Sequence, residues 1–170
     1  MSVEVVLVPL PLEVMEALLD DDLARASALA GAPLTPYILE HGWLWRIRVE
    51  QVRRDPASAD WVARAAVVDG AVVGHVGFHG PPDERGMVEV AYSVDPAHRR
   101  RGIGRALLAA ALAWAAADPA AHVVRASISP ENTASLAVLR PFGFIEVGEQ
   151  WDEEDGLELL YERPVSQSAS

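Results

Sequence analysis

The chain is 170 residues long, 51% hydrophobic and 23% charged, with a formal net charge of −11. Those values suit one soluble globular domain and argue against general nucleic-acid binding, which rests on cations neutralising phosphates. Cysteine is absent, which excludes disulfides, thiolate metal ligands and a cysteine nucleophile, and no apolar run approaches the roughly 18 residues of a membrane span.

The elements follow in chain order. Val3–Val8 reads as a first strand, ended by Pro9 and Pro11. From Leu12 to Ala30 apolar residues recur at helical spacing, with Gly31 as a stop. The run Asp20, Asp21, Asp22 divides that stretch into two short helices. Pro33 to His41 reads as a loop, and Trp43 to Arg53 as a further helix. Trp61–Val68 and Ala71–Phe78, joined by Asp69-Gly70, form a hairpin with a two-residue type I′ turn. A Gly/Pro-rich loop from Gly80 to Gly86 leads to a strand at Met87–Val94, closed by Asp95-Pro96. A long helix over Gly104 to Ala117 precedes a buried strand at Val123–Ile128. Ser129 is placed as the N-cap of the next helix with Pro130 at its first position, and that helix ends near Pro141-Phe142-Gly143. Phe144–Trp151 and Leu157–Arg163 make a closing hairpin. Strands that first pair as a hairpin and then alternate with helices predict a mixed α/β sheet with helices on both faces. The expected organisation is one domain over residues 1–165 and a small, polar, frayed tail at 166–170. The expected address is cytoplasmic.

Chemistry concentrates between Val88 and Ala113. A strand ends in Asp95-Pro96, a basic stretch with two glycines follows, and a helix begins. Uncapped N–H groups and the helix dipole at such a junction attract anions. Glycine lets backbone approach phosphate, and the arginines raise the local potential of an acidic chain. Spacing narrows the ligand. A dinucleotide fingerprint fails because Leu107 stands where its third glycine belongs, and a Walker loop fails because the sequence contains no lysine.

What remains, Arg99-x-x-Gly102-x-Gly104, resembles the pyrophosphate loop of the GNAT superfamily of N-acetyltransferases, which lies between a fourth strand and a long helix. A second block, Val123–Ile128 followed by Pro130-Glu131-Asn132-x-x-Ser135 and Phe142-Gly143-Phe144, is similar to that family's fifth strand, helix and turn, in the branch that acetylates N-termini of ribosomal proteins. The resemblance covers roughly Trp61 to Glu162. It implies a central, mostly antiparallel sheet splayed between strands four and five. It also implies transfer of an acetyl group from acetyl-CoA to a primary amine, either a small molecule or a protein N-terminus, by direct attack in a ternary complex.

Residue by residue, the resemblance gives Arg99, Arg101, Gly102, Ile103, Gly104 and Arg105 to the pyrophosphate. It gives the backbone of Ser93 and Val94 to the pantetheine arm, with the Val94 N–H polarising the thioester oxygen. Asn132 either holds pantetheine or makes a local bond in the first turn of its helix. Glu89 matches a position that often carries the general base; strand alternation puts it on one face with Ala91 and Ser93, where it could equally be a solvent-facing glutamate. Glu84 is a second candidate. Many relatives carry a tyrosine seven residues after the asparagine to protonate the thiolate. Here that position is Leu139, leaving Ser135 as the nearby hydroxyl. His75 and His79 share a strand face, but at about 3.3 Å per residue they sit about 13 Å apart, too far for one metal. The acceptor is expected between the early helices and the last hairpin, near Trp43, Trp45, Asp20–Asp22 and Asp152–Asp155, where aromatics and carboxylates suit a cationic amine. Dimers are common in the family, so a homodimer is among the expectations. A non-catalytic acyl-CoA-binding module is the alternative reading, and a purely structural domain the further one.

Overall fold

The computed structural model describes residues 3–166. Of the tail expected at 166–170, residues 167–170 lie outside them. Among the described residues seven strands form one sheet in the order β1-β2-β3-β4-β5-β7-β6: β1 Val6–Pro9, β2 Arg64–Val68, β3 Ala71–Phe78, β4 Met87–Val94, β5 Val123–Ile128, β6 Ile145–Asp152 and β7 Gly156–Pro164. Every neighbouring pair is antiparallel except β4 and β5. That parallel pair runs in register only from Met87↔Val123 to Glu89↔Arg125; beyond it the two strands diverge. The mixed α/β sheet is therefore as the order of elements predicted, and its splay between the fourth and fifth strands as the family resemblance implied.

Among the described residues six α-helices cover the two faces: α1 Leu12–Leu19, α2 Leu23–Ala30, α3 Pro36–Leu39, α4 Gly42–Arg54, α5 Ile103–Ala116 and α6 Thr133–Leu139. Alternation along the strands sorts the core. Ala65 and Val72 turn to the side where Met15, Trp45 and Val49 pack. Their neighbours Ala66 and Val73 turn to Ile103 and Leu107 of α5. α5 is helical because its Ala-rich sequence has high propensity and because Ile103, Leu107, Leu108, Ala111, Leu112 and Ala115 form one buried stripe. Burying a leucine such as Leu107 or Leu108 stabilises the fold by about 1.5–3 kcal/mol relative to exposure. The hairpin turn has Asp69 at φ 49° and Gly70 at φ 80°, both left-handed as a type I′ turn requires.

Three expectations are corrected. The first strand starts at Val6, not Val3, and keeps Pro9, whose partner is Arg64; an edge strand tolerates the missing N–H. The stretch read as a loop from Pro33 to His41 contains α3, with Thr35 as N-cap accepting from the Ile38 N–H at 3.4 Å and Pro36 in the first turn. The helix read as starting at Ser129-Pro130 starts three residues later. Ser129 to Asn132 is a turn closed by Asn132 N–H to Ser129 O at 3.0 Å, and Asn132 is the cap. Proline suits the second place of such a turn as well as a helix start. Among the described residues no helix is long and apolar enough to cross a membrane.

Candidate functional site

The splay opens two clefts. The smaller, about 650 Å³, lies between the end of β4, the loop Arg99–Gly102, the start of α5 and one side of α6. Gly102 stands at the helix N-cap position with φ 74°, and no side chain caps the helix. The N–H groups of its first turn are thus left for a ligand. Arg100, at φ 65°, also adopts the left-handed conformation, which costs a non-glycine residue roughly 1–2 kcal/mol. Left-handed residues beside a helix start aim successive N–H groups into one concavity that receives anions. Arg99, Arg100 and Arg105 line this cleft and no carboxylate does. Arg99 also reaches back, its Nε donating to Val94 O at 3.1 Å.

Of the residues expected at a pyrophosphate, Arg99, Gly102, Ile103, Gly104 and Arg105 stand together here, with Ser93, Val94 and Asn132. Arg101 is exposed and is not among the lining residues, whereas Arg100 is. A Cβ at Gly104 would meet only Val138 Cγ2 at 3.5 Å and Tyr92 Cε2 at 4.0 Å, so this glycine keeps the cleft open rather than answering a clash. The Asp95 N–H donates to Val73 O and the His79 N–H to Glu89 O. By antiparallel alternation the odd residues of β4 turn their backbone to β3. Tyr92 and Val94 turn theirs the other way, where no strand lies opposite.

The larger cleft, about 910 Å³, is lined by α4, β4, β5, α6 and the β6–β7 hairpin. Glu89 stands in it, its side chain only 17% exposed. Ser127 Oγ donates to Glu89 Oε2 at 3.1 Å, and His79 Nδ1 lies 3.4 Å from the same oxygen. Gln150 Nε2 reaches Ser127 Oγ at 3.5 Å and Glu158 Oε1 at 3.1 Å. Burial pushes the His79 pKa below its ordinary value; Glu89 pulls it up, Arg48 pushes it further down and Glu158 pulls it up. His79 is accordingly held toward its neutral form. Glu89 does share a face with Ala91 and Ser93: the Ser93 hydroxyl meets the Tyr37 hydroxyl on the helical side.

Tyr92, Asn132 and Ser135 line both clefts and mark their junction. The Asn132 side chain makes the local bond, its Oδ1 accepting from Ser135 N–H at 3.1 Å. The buried Tyr92 hydroxyl sits beside Ser135 without a hydrogen bond of normal geometry. Burial pushes its pKa up, and Ser135 opposes that shift. Leu139, at 2% exposure, forms part of the larger cleft's wall.

The remaining expectations divide. Trp43, 63% exposed, lines the larger cleft, whereas Trp45 is fully buried and its indole N–H donates to Ile38 O at 2.7 Å. The buried spacing Trp45, Val49, Val52 was the sequence signal that separates the two tryptophans. Asp152 and Asp155 line the cleft; Asp152 also accepts the Glu154 and Asp155 N–H groups, which hold its pKa below the usual carboxylate range. Asp20–Asp22 are exposed outside both clefts, and Asp22 caps α2. Glu84 is exposed and lines neither. Sequence reasoning missed Arg48, His79 as a partner of Glu89, Ser127, and Tyr92. Only Tyr92 had a local signal, as the one phenol inside the β4 motif. Among the described residues no group of three His, Asp or Glu could hold a metal ion.

A model of the Acetyltransferase (GNAT) family matches residues 18–144. An L-2,4-diaminobutyric acid acetyltransferase from Streptomyces anulatus is 31% identical over 126 residues, 67% of this chain and 72% of that protein. The uncharacterized N-acetyltransferase YjdG of Bacillus subtilis is 32% identical over 74 residues, 44% of each chain, so this chain spans less than half of that relative. Among solved structures, Mycobacterium smegmatis RimJ in complex with CoA-disulfide superposes with a TM-score of 0.66 at 22% identity, covering 94% of this chain and 81% of that one.

Proposed function

Because the chain belongs to the GNAT family of acetyltransferases, we propose that it transfers the acetyl group of acetyl-CoA to a primary amine, on a small molecule or a protein N-terminus, by direct attack with both substrates bound. The observation that carries this reading is the meeting of two unlike clefts at Tyr92, Asn132 and Ser135. One is rich in arginine and free N–H groups; the other holds a network built on a carboxylate.

The smaller cleft fits acetyl-CoA on its own chemistry. The uncapped first turn of α5 and the left-handed Arg100 and Gly102 suit a diphosphate. The Tyr92 and Val94 backbone groups, without a strand opposite, suit the amides of an extended arm. When bound, acetyl-CoA supplies an activated acetyl thioester. Val94 N–H would donate to the thioester oxygen as charge develops there. Glu89, oriented by Ser127 and His79, would take the proton that the acceptor ammonium must lose before its lone pair can attack. Tyr92, rather than Ser135 alone, would face the departing sulfur and donate to it, because its raised pKa keeps the phenol protonated. Asn132 would shape the junction through α6. The place of action we assign is the cytoplasm.

The test is calorimetric titration with acetyl-CoA, using NAD as the comparison, followed by thiol release in the presence of an amine panel. Saturable acetyl-CoA binding that is kept in Gly104→Ala and lost in Gly104→Glu, whose carboxylate would enter the anion cleft, is the expected result. No acetyl-CoA binding by well-folded protein would overturn this reading. Binding without thiol release to any amine would leave the acyl-CoA-binding module in its place.

A further inference from the structure

One cation stands in the larger cleft among its carboxylates. Arg48, on α4, lines that cleft with Glu89, Asp152, Asp155 and Glu158, yet among the described residues no carboxylate lies within ion-pair distance of it. It is not a loose surface side chain. Its Nη1 donates to Gln51 Oε1 at 2.8 Å, and Gln51 Nε2 in turn donates to His79 O at 2.7 Å, so the guanidinium is tied to the end of β3 beside the Glu89 network. Its buried Nε has no hydrogen-bond partner. A partly buried guanidinium without a counter-charge is unfavourable on its own. In a chain with 25 acidic residues against 14 basic ones, partners were abundant, and none closes on it.

Resting on the acetyltransferase reading above, we propose that Arg48 is the anchor for a carboxylate carried by the acceptor, so that the acceptor is a free amino-acid-like amine rather than a plain polyamine or a peptide N-terminus. The carboxylate would answer Arg48 from within the cleft, and guanidinium suits it because its planar donors match two carboxylate oxygens. The amine end would lie toward Glu89. The acids of the hairpin, Asp152, Asp155 and Glu158, would face any second ammonium group. A simple diamine would satisfy the acids but leave Arg48 unanswered. A peptide N-terminus would bring an amide where the carboxylate belongs.

The experiment compares ornithine, ornithine amide and putrescine as acceptors, with wild-type, Arg48→Gln and Arg48→Lys proteins whose folding is checked by thermal melting. In the wild type, ornithine should show a kcat/KM about 10- to 100-fold above the other two, the loss expected when one charge-assisted contact is removed. Arg48→Gln should erase that preference by raising the KM for ornithine more than for the other two, and Arg48→Lys should restore part of it. Calorimetry of the same three probes on CoA-saturated protein reads the preference without any transfer. Ornithine binding no tighter than putrescine, or an Arg48→Gln effect equal for all three, would overturn the proposal even if acetyl transfer is intact. Conversely, an Arg48-dependent preference in binding with no transfer to any probe would uphold the anchor and sink the enzyme reading.

Discussion

The anion-binding wall of the smaller cleft, from Val94 to Arg105, is shaped by backbone close together in the chain; the larger cleft is made of side chains from α4, β4, β5, α6 and the last hairpin. In the first, a strand end, two left-handed residues and an uncapped helix start create a site whose shape would survive many substitutions. In the second, Ser127 and Glu89 are 38 positions apart and Arg48 lies further still. A backbone site can bind one ligand type under a varied surface, whereas a side-chain site can be rewritten residue by residue. The cleft of common design thus suits the common co-substrate, and the other suits the variable acceptor.

The sharpest way to break that division is Glu89→Gln. If the larger cleft does the proton chemistry and the smaller one only binds, kcat should fall about a hundredfold or more while acetyl-CoA affinity by calorimetry stays unchanged. A variant with unaltered kcat would remove Glu89 from the mechanism. A smaller effect is expected at the junction. Tyr92→Phe should lower kcat about tenfold, because thiolate, with an unperturbed pKa of about 8.5, already leaves tolerably well. Its thermal stability should hold or rise, since the change deletes a buried hydroxyl that lacks a good partner. A loss of stability together with activity would make Tyr92 a packing residue.

The smallest effect on activity belongs to a residue that lines neither cleft. His75 is buried among Tyr37, His41 and Trp45, and burial, helped by His41, lowers its pKa from 6.5 to about 3. The native state therefore refuses a proton that the unfolded chain accepts. Stability from this residue is fully present above about pH 6.5 and is lost as pH falls toward 3, by up to about 1.4 kcal/mol per pH unit. Denaturant melts of His75→Leu across that window should show a shallower slope than wild type, with neutral-pH turnover nearly unchanged. An equal slope would shift the acid sensitivity to another group.

The same division explains what could be read before the fold was seen. Arg99 to Arg105 carry their meaning in local spacing, and so do the Asp69-Gly70 turn and the helical stripe of α5. Even so, the loop's residue types did not reveal that Arg100 rather than Arg101 turns into the cleft, since left-handed geometry at a non-glycine has no sequence mark. α3 was missed although Thr35-Pro36 carries a cap signature, because four helical residues are too few to show a period. Ser129 was preferred over Asn132 because a proline marks turns and helix starts alike. The acceptor side was legible only in outline. Glu89 could be named from its strand, but His79 and Ser127 reach it, and Arg48 reaches its cleft, through strand order and the lie of α4, and neither follows from neighbours in the chain.

Strand edges with unpaired backbone groups invite other chains to add a strand. Where β4 parts from β5 the protein carries such an edge in its middle as well as at the rims β1 and β6, flanked on one side by α6 and on the other by the hairpin. Another polypeptide would need room for side chains on both faces to pair there. A thin, unbranched arm needs none, so the slit can favour a ligand of that kind while denying itself to aggregation.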